Sequence, residues 1–212
     1  MKVNWFHLMP YRWLPDDFRE RYHGVWVDLP NALYDPERGH TLYNEYLDML
    51  EYADQMGFDA VGVNEHHQNG YGMMPSPNLM AAALARRTSN AMILVLGNSI
   101  ALYNPPTRVA EEFAMLDVIS GGRLVAGFPV GTAMDTNFGY GETPITLREK
   151  YREAHDLVMR ALAPRAAVVG PPYEVAHAVE FGEEAAEVTR QRRRVAVGRG
   201  DPRRRRGLPT HI

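Results

Sequence analysis

The chain has 212 residues, 45% hydrophobic and 23% charged, with a formal net charge of -3 at pH 7, proportions that exclude disorder throughout. No run approaches the ~18 consecutive apolar residues of a membrane span, and the N-terminus lacks a secretory signal's basic start and long apolar stretch, so a cytoplasmic protein without a membrane partner is expected. The absence of cysteine excludes disulfides, thiolate metal sites and cysteine nucleophiles, leaving chemistry to His, carboxylates, hydroxyls, backbone or a borrowed cofactor.

Residues 2–9, rich in Val, Trp, Phe and Leu and stopped by Pro10, predict a first strand. Residues 11–40 hold Pro15, Pro30 and Pro36 together with Trp13 and Trp26, which predicts an ordered excursion over one face. Residues 41–56 put Leu42, Tyr46, Met49 or Leu50, Ala53 and Met56 on one helical stripe, with Gly57 at the C-cap position. Residues 58–64 predict a second strand ending in Glu65-His66-His67. Ser76-Pro77 then supplies an N-cap and a first-turn proline for a helix reaching about Thr88. Residues 91–97 predict a third strand, 107–119 a helix closed by Gly121-Gly122, and 123–128 a fourth strand. After a loop, Thr146-Leu147-Arg148-Glu149 reads as a capping box opening a helix to about Leu162.

Alternating strands and helices with nearly all-apolar strands predict a parallel sheet covered by helices. An open doubly wound sheet and a (β/α)8 barrel both satisfy that pattern. Met9-Pro10-Tyr11-Arg12 offers no glycine fingerprint after the first strand, which favours the barrel. Only four βα units are legible, so the expected fold class is α/β, a TIM (β/α)8-type barrel truncated to about four units. Such a half barrel leaves sheet edges and inner faces uncovered, predicting association or instability.

The composition changes near residue 161. Residues 1–160 carry 13 Lys plus Arg against 20 Asp plus Glu; the remainder carries 10 against 6, with ten Arg and no Lys, while all eleven Met and three Trp precede it. A barrel domain over 1–162 and an atypical Arg-rich tail over 163–212 are expected, the tail being either disordered or the product of a reading-frame shift in a GC-rich gene. A nucleic-acid arm is disfavoured, because only Tyr173 and Phe181 supply aromatic rings for stacking there.

Working side chains are expected at the carboxyl ends of the strands. Glu65, His66 and His67 stand at the second, where alternation turns one imidazole toward the pocket. The pair could instead bridge loop carbonyls, or join His7 in a metal site, although no other strand end adds a His or Asp and no metal is expected. Gly97-Asn98-Ser99 ends the third strand with a residue lacking a side chain, suited to a flat ring or to an ordinary exit. Phe128-Pro129-Val130-Gly131-Thr132 could present backbone N–H groups to an anion or a ring edge. Asp135, Asn137 and Tyr140, in the loop that follows, are candidates for substrate contacts or for local hydrogen bonds.

Asn64-Glu65-His66-His67, Pro77-Asn78-Leu79-Met80-Ala81-Ala82, Arg108-Val109-Ala110-Glu111-Glu112 and Leu116-Asp117-Val118-Ile119-Ser120-Gly121-Gly122-Arg123 resemble, in this order and spacing, successive blocks of the bacterial-luciferase-like flavin-dependent monooxygenases. The resemblance covers residues 1–162. It implies a barrel that uses reduced FMN, or in some branches the deazaflavin F420, with O2 and a small organic substrate, a flavin reductase as supplier of reduced flavin, and pairing as a homodimer. By the same resemblance His66 matches the histidine that acts as a base near the flavin and His67 its neighbour; His7, His67 and Tyr140 are expected on the substrate side. Gly97 and Asn98 match the strand end against which the isoalloxazine packs. Val130, Gly131 and Thr132 fall at the fourth strand end, Val130 standing where luciferase has an arginine on the flavin phosphate. The protein's implied task is to hold the ring, exclude water and manage one proton, which suits an imidazole. The expected function is a flavin-dependent monooxygenase, with an inactive truncated fragment and a metal-dependent barrel hydrolase as alternatives.

Overall fold

Four short apolar runs build the sheet: Asn4–Phe6 (β1), Ala60–Val63 (β2), Met92–Val95 (β3) and Leu124–Gly127 (β4), joined by Ala178–Val179 (β5). The structure, a computed structural model, describes residues 1–131 and 133–163 throughout, together with the backbone of 178–179. All strand pairs are parallel and the order is β1-β2-β3-β4-β5. An open doubly wound sheet reverses its strand order at a switch point; this sheet has no reversal.

The helices are Phe18–Arg21 (α1), Pro36–Gln55 (α2), Pro77–Arg87 (α3), Thr107–Ser120 (α4), Met134–Tyr140 (α5) and Pro144–Ala161 (α6), with single 3-10 turns at Asn31–Leu33 and Ile100–Leu102. Alternation along the strands sorts the sheet into two faces. Val61, Val63, Ile93, Val95, Leu124 and Ala126 join the core with Leu42 and Leu50 of α2, Leu84 of α3, Phe113 of α4 and Val158 of α6. Gly62, Leu94 and Val125 fall on the other face. A Cβ on Gly62 would stand 3.1 Å from Phe6 Cδ2, so the Phe6 ring uses that gap.

Three predicted boundaries are corrected. The first long helix starts at Pro36 rather than Thr41, because the Asp35 carboxylate accepts from the N–H groups of Glu37 at 2.9 Å and Arg38 at 3.3 Å and Pro36 occupies the first turn. The apolar stripe beginning at Leu42 marked only the part that faces the core. The last long helix starts at Pro144, and its capping box joins Thr143 and Thr146 instead of Thr146 and Glu149. Residues 134–140, expected as loop, form α5, closed by Gly141 in a left-handed conformation.

The compositional break near 161 does not end the sheet, since Ala178 and Val179 pair with Ala126 and Gly127. Apart from this strand and Ala163, the tail predicted over 163–212 lies outside the described residues. Among the described residues β1 is paired on one side only and is exposed along its length. No described helix is long and apolar enough to cross a membrane.

The turn between α3 and β3 shows how the backbone polar groups are satisfied. Asp54, at the end of α2, accepts from the N–H groups of Ser89 at 2.9 Å, Asn90 at 3.0 Å and Ala91 at 2.5 Å. The Arg123 guanidinium donates to Ser120 O (2.9 Å), Ala91 O (2.8 Å), Ala85 O (3.1 Å), Thr88 O (3.0 Å) and Thr88 Oγ1 (2.8 Å). Its donors are thereby spent on the end of α3, the start of β3 and the end of α4. Burial by itself would raise the Asp54 carboxyl, but the three backbone donors and the Arg123 charge outweigh it and hold it below the usual carboxylate value.

Two outcomes are expected. Arg123→Ala costs about 3 kcal/mol in urea unfolding, and Arg123→Lys recovers less than half, because an ammonium cannot reproduce the planar fork. The depressed Asp54 pKa contributes stability that is present above the ordinary carboxylate value and is lost as pH falls through the lower folded value. Unfolding free energy measured from neutral pH into that acid range should fall less steeply for Asp54→Asn than for the native chain.

Candidate functional site

Past Val63 the chain leaves β2 through Asn64, Glu65, His66 and His67. The side chains of Glu65 and His67 are 1% and 6% exposed and that of His66 13%. A buried carboxylate requires partners. Glu65 Oε1 lies 2.7 Å from His67 Nε2, and Oε2 accepts from the Ser99 N–H at 2.7 Å, tying the tip of β2 to that of β3. On the far side of the His67 ring, Tyr140 Oη lies 3.4 Å from Nδ1, with the two rings edge to face at 4.9 Å. The Tyr140 hydroxyl is raised by burial and then by the Glu65 charge.

His66 is held from another direction. Its Nδ1 lies 3.0 Å from Oδ2 of Asp135, in the first turn of α5, and the same oxygen accepts from the His67 N–H at 2.8 Å and from Asn69 Nδ2 at 3.0 Å. Burial would raise the Asp135 carboxyl, but the bonds from His66 and the His67 backbone prevail and hold it below the usual range. Trp26 and Tyr71 pack at 4.1 Å from each other and approach the His66 ring edge-on at 5.7 and 5.1 Å. Gly72 leaves room for this ring: a Cβ there would stand 3.1 Å from His66 Cβ and Cδ2.

At the tip of β3, Asn98 is fully buried. Its Nδ2 donates to Asn78 Oδ1 at 3.3 Å and Tyr103 Oη at 3.4 Å, and Asn78 Nδ2 donates to Glu112 Oε2 at 2.7 Å. Burial, then the Glu65 charge, pushes the Tyr103 hydroxyl well up. The Oδ1 atoms of Asn64 and Asn98 are buried without a hydrogen-bond partner among the described residues. Two unpaired acceptors at adjacent strand tips suit a ligand that brings N–H donors.

The predicted site residues divide accordingly. His66, His67 and Tyr140 come together, and Asn98 joins them through its neighbour Ser99 and Glu65. His7 does not enter these contacts; its Nδ1 accepts from the Met9 N–H at 2.9 Å and its ring lies 4.4 Å from that of Tyr46. Burial, then Arg12, holds His7 below the ordinary imidazole value. The expected shelf at Gly97 is used on its Cβ side by the protein itself, since an added Cβ would stand 2.5 Å from Pro129 Cγ. Gly131 is explained by its φ of +76° and by Ser99, whose Cβ would lie 3.0 Å from an added Cβ. Val130 is half-buried, and Thr132 lies outside the described residues. Among the described residues no group of three His, Asp or Glu side chains is placed to hold a metal ion.

Sequence reasoning missed the two carboxylates as imidazole partners. Asp135 was expected in a loop, and it works because α5 presents it. Gly131 and Gly141, bracketing a short stretch opened by Met134-Asp135, were the available signal. The 11–40 excursion supplies the other wall: a cavity of about 130 Å³ is lined by Trp26, Leu29, His67, Asp135 and Phe138. Asp28 and Gln68, with left-handed φ values of 57° and 50°, also line it.

Residues 29–168 match the luciferase-like monooxygenase family. Limonene 1,2-monooxygenase of Rhodococcus erythropolis is 32% identical over 150 residues, 71% of this chain and 38% of that protein. The oxygenase component of the flavin-dependent trigonelline monooxygenase of Acinetobacter baylyi is 35% identical over 97 residues, 46% of this chain and 27% of that protein. The solved structure of the monooxygenase RslO1 from Streptomyces bottropensis superposes with a TM-score of 0.61 at 26% identity, covering 81% of this chain and 46% of that one. The chain thus spans less than half the length of these relatives. With its parallel sheet, its strand-tip histidines and this match over residues 29–168, the chain belongs to the luciferase-like monooxygenase family.

Proposed function

We propose that the chain forms the first units of a (β/α)8 barrel oxygenase that uses reduced FMN and O2 on a small organic substrate, with the reduced flavin supplied by a separate reductase. The observation that carries this reading is the pair of unpaired amide oxygens, Asn64 Oδ1 and Asn98 Oδ1, buried at the tips of β2 and β3 next to the His66–His67 pair. Those acceptors fit the N–H-bearing edge of a flat heteroaromatic ring, so Asn64, Asn98 and the backbone at Gly97 are the residues that would hold the flavin head. The β4 tip offers Val130 in place of a cation, so the phosphate depends on residues outside this set, and F420 is the competing cofactor. The separate reductase is suggested by the trigonelline enzyme, whose name describes an oxygenase component.

When bound, reduced flavin supplies the electrons that activate O2. The chain's own residues orient the ring, exclude water and handle a proton. In this reading His66 is the proton-handling group, and Trp26 and Tyr71 pack against its ring and shield it from water. His67, whose two ring nitrogens face Glu65 and Tyr140, lines the cavity with neither nitrogen open to exchange a proton, and His7 supports the loop after β1.

Titration of the purified chain with FMN, followed by flavin fluorescence, should give saturable quenching, and Asn64→Ala should weaken it about tenfold. Parallel titration with F420 decides between the cofactors, and binding of neither removes the reading. In the active oxygenase His66→Ala should lower kcat by about 10²–10⁴-fold while leaving FMN affinity unchanged; lost FMN binding instead would make the imidazole a scaffold group.

A further inference from the structure

The two adjacent imidazoles meet their carboxylates through different nitrogens. His66 approaches Asp135 Oδ2 with Nδ1, whereas His67 approaches Glu65 Oε1 with Nε2. An ionised carboxylate only accepts hydrogen bonds, so the ring nitrogen facing it must carry the proton, and in a neutral imidazole the other nitrogen then holds the lone pair. We propose that His66 and His67 are locked in opposite tautomers, His66 as Nδ1–H and His67 as Nε2–H, and that Asp135 is the positioning residue that makes Nε2 of His66 the basic nitrogen of the site.

The surroundings distinguish the fates of the two lone pairs. For His67 the lone pair is on Nδ1, where the Tyr140 hydroxyl donates to it at 3.4 Å; both nitrogens of this 6% exposed ring are engaged. For His66 the lone pair is on Nε2, which has no hydrogen-bond partner among the described residues, on a ring 13% exposed. One imidazole is therefore closed and the other poised. The titratable groups packed against His66 are Asp135 from α5 and Tyr71 from the loop after β2, with Glu65 and His67 beside it along the chain; Tyr71 presents a ring contact and Asp135 the charge.

Asp135 is suited to fix the tautomer because its position is over-determined. Its side chain is fully buried, and three donors from the β2 loop converge on Oδ2. Two of them, the His67 N–H and Asn69 Nδ2, cannot act as acceptors in that direction. Oδ2 must therefore remain an acceptor, and His66 Nδ1 beside them must remain a donor. Both ends of α5 take part, Asp135 at His66 and Tyr140 at the free nitrogen of His67, while Glu65 fixes the His67 tautomer. The role given to Asp135 rests on reading His66 as the proton-handling group; the tautomers themselves do not.

The test is nitrogen NMR on the full chain labelled with 15N-histidine, without flavin, at about pH 9, where imidazoles are neutral. Signals are assigned from His66→Gln and His67→Gln, or by sequential backbone correlation if either variant fails to fold. The expected spectrum shows His66 with a protonated Nδ1 and a bare Nε2, and His67 with the reverse. Asp135→Ala should exchange the two nitrogen shifts of His66, since a free imidazole favours Nε2–H, and leave those of His67 in place. Asp135→Asn, which can keep a carbonyl oxygen at the Oδ2 position, should retain the native pattern. Identical tautomers in the native chain, or His66 unmoved in folded Asp135→Ala, would overturn the proposal. Because no flavin is present, a failed FMN titration with the opposite tautomers intact counts against the oxygenase reading alone.

Discussion

One buried oxygen, Oδ2 of Asp135, joins α5, the helix after β4, to the loop after β2 and so organises the site. A carboxylate with its side chain out of water is costly unless its charge is met by donors. Here an imidazole, a backbone N–H and a side-chain amide converge on it. The requirement works in both directions: α5 is held against the histidines, and the histidines are held in a single geometry. Glu65 does the same between β2 and β3 by spending one oxygen on His67 and the other on the Ser99 N–H.

These carboxylates can be aimed because the strand tips beneath them are fixed. Parallel pairing sets the register of β2, β3 and β4 residue by residue, and the α3–β3 turn is pinned by Asp54 on its amides and Arg123 on its carbonyls. Neither Asp54 nor Arg123 touches the imidazoles. They lie at the opposite, amino-terminal ends of the strands, where side chains in such folds serve stability while the carboxyl ends serve chemistry.

The long excursion between β1 and α2 completes the site. Trp26 brings it onto the His66 ring and Tyr71, and the Gly70 N–H donates to Val25 O at 2.9 Å, stitching it to the β2 loop. This segment forms one wall of the cavity while the loop after β2 and α5 form the other.

The sequence by itself determined the repeating units, since continuous apolar runs, period-3.6 apolar stripes and caps such as Ser76-Pro77 and Gly121 are local signals. It also determined that Glu65, His66 and His67 stand at a strand end, and the ordered blocks that mark the family. Helix starts were misread where the first turns face solvent: at Pro36 the apolar stripe begins well inside the capped start, and at Pro144 the Thr146–Glu149 pattern competed with the Thr143–Thr146 box that forms. Only the tertiary structure decided which nitrogen of each imidazole meets a carboxylate, that Gly97 yields its Cβ space to Pro129, and that His7 stays apart from the pair. Those contacts join residues as distant in sequence as His66 and Asp135, 69 positions apart, and such pairings arise from the register of the sheet and the docking of α5, which no local pattern encodes.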